Sequence, residues 1–518
     1  MSYNVREHSY VVGGLGVTGQ ACVRFLLQQK ATVKAFDTRA NFTVVTDPGS
    51  ALDGDLYSGM QAFLAEKVTC HALSEDYFYG VDTLVLSPGL ALNIEQVALA
   101  QKCGVEVIGD VELFARLNAT KNGAAPSKRV VGITGSNGKT TVTLLVNHLL
   151  KSCGVKSIEA GNVGRPVLEA LQSDADVVVM ELSSFQLETT SSLELEAATV
   201  LNISDDHLDR HGTLEAYIDA KHRIFDNAKS AVVWRDGEFV APYEQLITDA
   251  KGIAASNAVS DGESNAVSNA EFNEDALASK NIVEYGLGES TTGFAIATFA
   301  GDGGTLCDEQ SLYITFNGEK LIALSDIHLA GMHNVLNVMA ALGICLQLGV
   351  SPELAVKHLH SFKAAPHRCV EIARVNDIRY IDDSKATNIG ATVAALEGLA
   401  PTIQGKLILI AGGDAKGADT ASLSPYLTKY VSHVFALGKD AHLFEKSFAH
   451  TTRVATMKDA VKAATRLAAP GDVVLLSPAC ASLDMFKNYM HRGDVFKQDV
   501  HDLLNLHSKN DDAVEATS

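Results

Sequence analysis

GITGSNGKTT, Gly132 to Thr141, lies between the apolar pair Val130-Val131 and a segment of helical pattern, Val142 to Leu150. Strand, glycine-rich turn, Lys-Thr and helix together make a cradle for nucleotide phosphates. Glycines let backbone N–H groups converge on phosphate oxygens, the helix N-terminus adds partial positive charge, and Lys139 adds a full one. Gly135, Ser136, Asn137, Gly138, Lys139, Thr140 and Thr141 are therefore the expected residues for a nucleotide triphosphate, with the Thr140 hydroxyl placed for a magnesium ion. The usual motif has glycine five residues before Gly138; here that position is Ile133, between Gly132 and Gly135. The competing reading is a chance glycine turn in an α/β domain, and the flanking strand and helix weigh against it.

Working outward, 518 residues suffice for about three domains, each with its own core. A hydrophobic content of 47% with 20% charged residues describes a soluble globular chain. The net charge of −20 argues against a nucleic-acid partner, which selects a basic face. Eight cysteines form no C-x-x-C pair and no zinc spacing, so they read as reduced core thiols. No run reaches the roughly 18 apolar residues of a membrane helix, and the N-terminus lacks the long apolar segment of a signal peptide. The expectation is a cytoplasmic monomer without membrane insertion.

Residues 1–120 open with a short strand, Ser9 to Val12, that enters Gly14-x-Gly16-x-x-Gly19, a helix to about Gln29, and a strand, Thr32 to Phe36, ending at Asp37. This βαβ unit predicts a diphosphate on the helix terminus and leaves NAD(P) or another nucleotide open. Asp37 fits either a ribose contact or a loop cap. Thr83 to Leu86 runs into Ser87-Pro88-Gly89 at a strand's carboxyl end, where ligands of open α/β sheets bind. Asn118 to Ser127 is polar and turn-rich and reads as a linker.

The central domain, 128–363, adds the turn Gly161-Asn162-Val163-Gly164 and a buried strand, Val177 to Met180, that ends in Glu181. A carboxylate there holds magnesium or caps the next helix. The strand Ala198 to Ile203 opens into SDDHLDRHG, where His207 and His211 stand four apart like zinc ligands. The carboxylates around them favour hard-cation chemistry instead. Taken alone, Lys221 in YIDAKHRIF reads as a surface lysine. Asn334 and Asn337 share one face of a later helix.

Residues 366–518 begin with Pro366-His367-Arg368. Three strands then run into DDSKATN (382–388), GGDAKG (412–417) and SPACAS (477–482), which delivers lysines and hydroxyls to one crevice suited to an acidic substrate.

The ordered blocks TGSNGKTT, GNVG, ELSSFQLE, NISDDHLDRHG and YIDAKHRIF resemble the Mur ligases, which build the peptide stem of peptidoglycan, over nearly the whole chain. DDSKATN, GGDAKGAD and SPACASLDMFKN resemble the branch that adds D-glutamate. The resemblance implies three α/β domains: Rossmann-like, central P-loop ATPase-type, and C-terminal Rossmann-like. It implies a ligase that couples ATP hydrolysis, through an acyl phosphate, to joining D-glutamate to UDP-N-acetylmuramoyl-L-alanine. It makes Lys139, His207, Lys221, Arg368 and Lys385 catalytic, and places Asn337, Arg368 and Asp383 at ATP. Leu15, Gly16, Thr18, Asp37, Thr38, Ser87, Pro88, Gly89 and Asn162 would bind the UDP substrate. Thr387, Lys416, Ser482 and Tyr489 would bind D-glutamate, Tyr489 standing where relatives often have phenylalanine. Two Mg²⁺ sites would draw on Thr140, Glu181, His207 and a carbamylated Lys221. A Ser/Asn/Ala-rich stretch, 251–275, containing SNAVS twice, departs from the family and reads as a surface insertion.

Three rivals remain at this level. A folylpolyglutamate synthetase shares ATP and glutamate but usually lacks this first domain. A nicotinamide-dependent dehydrogenase would explain Gly14-x-Gly16-x-x-Gly19 and nothing after it. A non-catalytic nucleotide sensor would have no need of Lys139, His207 and Lys221.

Overall fold

Three sheets organise the chain. The computed structural model describes residues 3–39, 63, 67–70, 73–119, 126–204, 206–238, 240, 281–300, 310–327, 329, 331–363, 365–400 and 403–515. The stretch 251–275, with its SNAVS repeat, and residues 120–125 of the expected linker lie outside these.

The first sheet joins β1 (Ser9–Gly13), β2 (Thr32–Phe36), β3 (Val68–Thr69), β4 (Thr83–Leu86) and β5 (Glu106–Gly109), all parallel, in the order β3-β2-β1-β4-β5. Gly13 pairs with both Phe36 and Leu86, so the loops at Gly14, Asp37 and Ser87 leave the sheet at one edge.

The second sheet has nine strands. They are β6 (Arg129–Thr134), β7 (Ser157–Gly161), β8 (Val177–Glu181), β9 (Ala197–Val200), β10 (Ser230–Trp234), β11 (Asn281–Tyr285), β12 (Phe294–Ala300), β13 (Gln310–Phe316) and β14 (Glu319–Ala323). Their order is β14-β13-β12-β11-β10-β9-β6-β8-β7, parallel except for the antiparallel β12-β13-β14 end. The central strands are continuous apolar runs because both faces are covered, as the buried Val130, Val131, Val178 and Val179 illustrate. Ile133 pairs with Glu181 and Thr134 with Val200, so the phosphate loop, Glu181 and the 201–212 loop share one edge.

The third sheet contains β15 (Val370–Val375), β16 (Ile378–Asp382), β17 (Leu407–Ala411), β18 (Val431–Ala436), β19 (Thr451–Arg453) and β20 (Val473–Leu476), in the order β15-β16-β20-β17-β18-β19. Leu476 faces both Asp382 and Ile410, which brings the three expected loops to one crevice.

The sheets are joined unequally. One apolar cluster runs from Tyr10 and Val12 through Phe114 of helix Asp110–Asn118 and Leu168 of helix Val167–Leu171 to Val178 and Val233. The first two sheets thus share a core. The third keeps its own clusters, around Leu409 and around Ile410. Among the described residues, no helix is long and apolar enough to cross a membrane.

Candidate active site

The phosphate loop connects β6 to helix Lys139–Ser152, one turn longer at its start than the sequence pattern predicts. Gly138 caps this helix at φ 82°, a left-handed conformation that favours glycine. A Cβ there would stand 2.6 Å from Asn337 Oδ1, so the loop backbone lies against the Asn337 side chain of the helix Met332–Gln347. The Lys139 Nζ folds back to donate to Gly135 O at 2.6 Å and Ser136 O at 2.9 Å. Desolvation lowers the Lys139 pKa, against the charges of Glu181 and Asp206.

Lys221 is not on the surface. It is 1% exposed, and its Nζ donates to the same Gly135 O at 2.9 Å above the Tyr217 ring. Burial and then the Lys139 charge push its pKa well below that of an ordinary lysine. Tyr217 also meets Ser136, hydroxyl to hydroxyl, at 3.1 Å. Glu181 accepts from Asn162 Nδ2 at 2.7 Å on Oε1, while its buried Oε2 has no hydrogen-bond partner. An orphaned carboxylate oxygen on a residue that lines the same cavity as Thr140 fits a hard cation such as Mg²⁺. No cluster of three His, Cys, Asp or Glu side chains able to hold a metal occurs among the described residues. A magnesium ion here would therefore take phosphate oxygens as further ligands.

The two histidines separate. His211 turns inward, with Nε2 3.0 Å from Ser184 Oγ, Nδ1 3.3 Å from Glu188, and its ring stacked on Phe185. His207, at φ 55°, lines the cavity beside Asp206. The zinc-like spacing thus does not produce a pair of ligands on one face.

The third sheet supplies the opposite wall. The cavity, about 1180 Å³, is lined by Lys139, Glu181 and Lys221 on one side and by Arg368, Asp383, Lys385, Thr387 and Lys416 on the other. Desolvation raises the Asp383 pKa to about 7 although Ser477 donates to it at 2.9 Å. Desolvation, then the charge of Arg368, lowers the Lys385 pKa to about 8, and its Nζ lies 4.2 Å from the centre of the Tyr489 ring. Tyr489 and Ser482 do not line this cavity. Tyr489 supports Lys385, and Ser482 is buried.

At the first sheet, Asp37 is buried and fully engaged. It accepts from Leu15 N–H at 2.7 Å and from the Arg39 side chain at 2.9 and 2.7 Å, and the Arg39 bonds hold its pKa at about 2. These are the contacts of a loop-shaping residue. Thr38 is exposed beside it. Arg210, from the short helix Leu208–His211, donates to Pro88 O at 3.1 Å and Leu90 O at 2.8 Å, tying the Ser87-Pro88-Gly89 turn to the segment that carries Asp206 and His207.

Several residues at this site escaped the sequence reading. Arg492, 1% exposed, donates to Ser384 Oγ, Ser384 O and Cys480 O at 3.0, 2.8 and 3.0 Å and so fixes two crevice loops. His367 Nδ1 lies 2.6 Å from Asp382. Asp206, Tyr217 and Asn388 complete the walls. His367, Asp206, Tyr217 and Asn388 lie inside strings already quoted and Arg492 shortly after one, but a string does not reveal the direction its side chains take. His207, His367, Cys369, Lys416 and Ala479 all adopt left-handed backbone around the cleft, the kind of strain that collects at functional loops.

The second and third sheets facing each other across one cleft, with a phosphate loop on one wall and arginine and lysine on the other, and the first sheet joined to the second through Arg210 and a shared core, define a multidomain P-loop α/β protein. The sequence matches the Mur ligase middle domain over residues 133–345, the Mur ligase glutamate ligase domain over 367–480, and the MurD-like N-terminal domain over 8–109. The chain belongs to the Mur ligase family. It is similar to the UDP-N-acetylmuramoylalanine–D-glutamate ligase of Methylobacillus flagellatus, 38% identical, covering 96% of this chain and 98% of that protein. The enzymes of that name from Pseudomonas savastanoi, 39% identical, and Legionella pneumophila, 36%, each cover 96% of this chain and 99% and 100% of their own. In fold it is similar to the UDP-N-acetylmuramate-alanine ligase MurC of Thermotoga maritima, with TM-score 0.55 at 15% identity, covering 96% and 99% of the two chains. It is likewise similar to the MurF ligase of Thermotoga maritima solved with ADP, with TM-score 0.53 at 14% identity and the same coverage.

Proposed function

We infer that this chain is the ATP-dependent ligase that joins D-glutamate to UDP-N-acetylmuramoyl-L-alanine in peptidoglycan precursor synthesis, acting in the cytoplasm. The observation that carries the chemistry is the facing of Lys139 and Glu181 by Arg368, Lys385 and Lys416 across one cavity. An anionic acceptor, a triphosphate and an acidic amino acid would meet there.

The substrate carboxylate oxygen attacks the γ-phosphorus of ATP; the new O–P bond forms as the bond to ADP breaks. The glutamate amine then adds to the acyl carbon, loses a proton, and expels phosphate. Lys139, Arg368 and Lys385 are assigned to charge on the transferring group, which is where catalysis of phosphoryl transfer resides. Gly135 to Thr141, Asn337 and Asp383 are assigned to the nucleotide. Leu15, Gly16, Thr18, Asp37, Thr38, Ser87, Pro88, Gly89 and Asn162 are assigned to the UDP substrate, Asp37 also shaping their loop. Thr387 and Lys416 are assigned to D-glutamate; Ser482 and Tyr489 border that site, and Tyr489 acts through Lys385. Magnesium, when bound, supplies charge neutralisation, and Thr140, Glu181 and His207 are the residues assigned to hold it. Lys221 completes that set as a carbamate. Its depressed pKa supports this, because an uncharged amine can add to CO₂ and lose a proton to become an anion.

The test is phosphate release with UDP-N-acetylmuramoyl-L-alanine, ATP and Mg²⁺, comparing D- with L-glutamate in wild type and Lys416→Ala. D-glutamate alone should support turnover, and the variant should raise its KM by about thirtyfold or more, the effect of leaving a desolvated carboxylate without its cation. Equal use of the two enantiomers would reject the assignment.

A further inference from the structure

Asn388 spans the two walls of the cleft. It precedes the helix Ile389–Leu399 of the third sheet, where its Oδ1 accepts from Ala391 N–H at 2.9 Å. Its Nδ2 donates at 3.2 Å to Asn137 Oδ1 in the phosphate loop and at 3.2 Å to Asp206 Oδ2 after β9. Asn137 is itself fixed, since its N–H donates to Asn202 Oδ1 at 2.8 Å and its carbonyl accepts from Asn202 Nδ2 at 3.1 Å. Asp206 Oδ1 lies 3.5 Å from Lys416 Nζ. The rest of the helix seats closely on the phosphate loop, the loop after β9 and the start of the helix Met332–Gln347. A Cβ at Gly390 would stand 3.1 Å from Ser204 Oγ and 3.4 Å from Asn137 Nδ2. One at Gly398 would stand 3.1 Å from His333 Cε1 and 3.2 Å from Gly331 Cα.

We propose that Asn388 is a positioning residue. With Asn137 and Asp206 it forms a clasp that sets the amino-acid loop of the third sheet against the phosphate loop, and it thereby controls affinity for the amino-acid substrate. The inference rests on the ligase reading and adds a residue to it. Capping the helix uses only Oδ1, so the two Nδ2 bonds serve something else. Thr387 is the adjacent residue and Lys416 shares Asp206, so the clasp fixes the distance from both to the phosphates. The apolar clusters of the third sheet contain none of the residues of the other two. Polar contacts of this kind must therefore hold much of the alignment.

The informative variant is Asn388→Asp. Aspartate caps a helix as well as asparagine does, so the helix start survives. Both donors are lost, however, and a carboxylate then faces Asp206. The exchange Asp206→Asn/Asn388→Asp keeps composition and net charge and restores an amide opposite a carboxylate. In the phosphate-release assay, Asn388→Asp should raise the KM for D-glutamate about tenfold or more, the worth of a hydrogen bond to a charged group. The KM for the UDP substrate, whose expected site is on the first sheet, should move by less than about twofold. The exchange should recover part of the loss, because it restores the amide–carboxylate contact while neutralising the side chain that pairs with Lys416. A wild-type KM in Asn388→Asp, or an impaired variant that the exchange does not recover, overturns the clasp. If Asn388→Asp does not fold, Asn388→Ser, which also caps but is too short for the Nδ2 bonds, carries the same expectation. A wild-type protein that releases no phosphate with D-glutamate overturns the ligase reading itself, and this inference with it.

Discussion

Lys221→Met should make the protein more stable and nearly inactive. The wild-type amine is 1% exposed, and its hydrogen-bond partners are neutral: Gly135 O at 2.9 Å and Thr134 Oγ1 at 3.5 Å. Methionine keeps the length of the stem and removes the amine. Gly135 O retains Lys139 Nζ at 2.6 Å, so no carbonyl is orphaned. Losing one hydrogen bond costs about 1 kcal/mol, whereas exchanging a buried ionisable group for an apolar one of like volume gains about 1–4 kcal/mol. The second effect is the larger, and the net gain should be about 0–3 kcal/mol without ligands. The gain should also depend on pH. Burial lowers the folded-state pKa, so between that value and 10.5 the unfolded chain binds one more proton. Wild-type stability therefore rises with pH across that window, and the advantage of methionine fades as pH approaches 10.5. Denaturant unfolding in CO₂-depleted buffer measures the stability, and phosphate release should fall about a hundredfold or more. Wild type in ¹³C-bicarbonate should give a carbamate NMR signal that the variant lacks. A variant destabilised by more than about 1 kcal/mol, or active within about tenfold of wild type, would refute this account of Lys221.

Gly138→Ala forces a Cβ into a left-handed position, roughly 1–2 kcal/mol, and drives a methyl group to 2.6 Å from Asn337 Oδ1. Calorimetry with a non-hydrolysable ATP analogue should show affinity falling about tenfold or more, and unchanged binding would contradict the loop geometry. Phosphates beside Lys385 should raise its pKa from about 8, so nucleotide binding slightly above that pH should take up protons. Titrations in two buffers of different ionisation enthalpy read the sign, and proton release would be the contrary result. Arg492→Met leaves the Ser384 and Cys480 carbonyls without their buried donor, and denaturant unfolding should show a loss of about 2–5 kcal/mol. A loss under about 1 kcal/mol would mean the crevice loops are held by other contacts.

The phosphate loop, the glycine fingerprint and the strand-end loops were legible because each is a contiguous string whose backbone conformation is set locally. Gly138 must be glycine for its own φ, and Lys139 follows it into the first helical turn whatever the rest of the chain does. The same local reading gave Glu181 at a strand end but could not say that one of its oxygens would be buried without a partner. It left Lys221 a surface lysine until the resemblance placed it at a metal. Only the packing of helix Leu214–His222 under the phosphate loop buries its amine.

What the sequence determined by itself, then, is which short segments can hold phosphate and which strand ends carry charge. The tertiary structure decided which of these meet. Asn388 reaches Asp206 across 182 residues of chain and Arg492 reaches Ser384 across 108. His207 faces the cavity while His211, four residues on, is buried against Phe185. Asp37 is drawn onto Arg39 and the Leu15 N–H, and Tyr489 lies under Lys385 outside the cavity lining. Motif spacing records the path of the backbone. The direction a side chain takes, and the partner that satisfies or strands its polar atoms, depend on neighbours brought in by sheet order and register, which no single segment encodes.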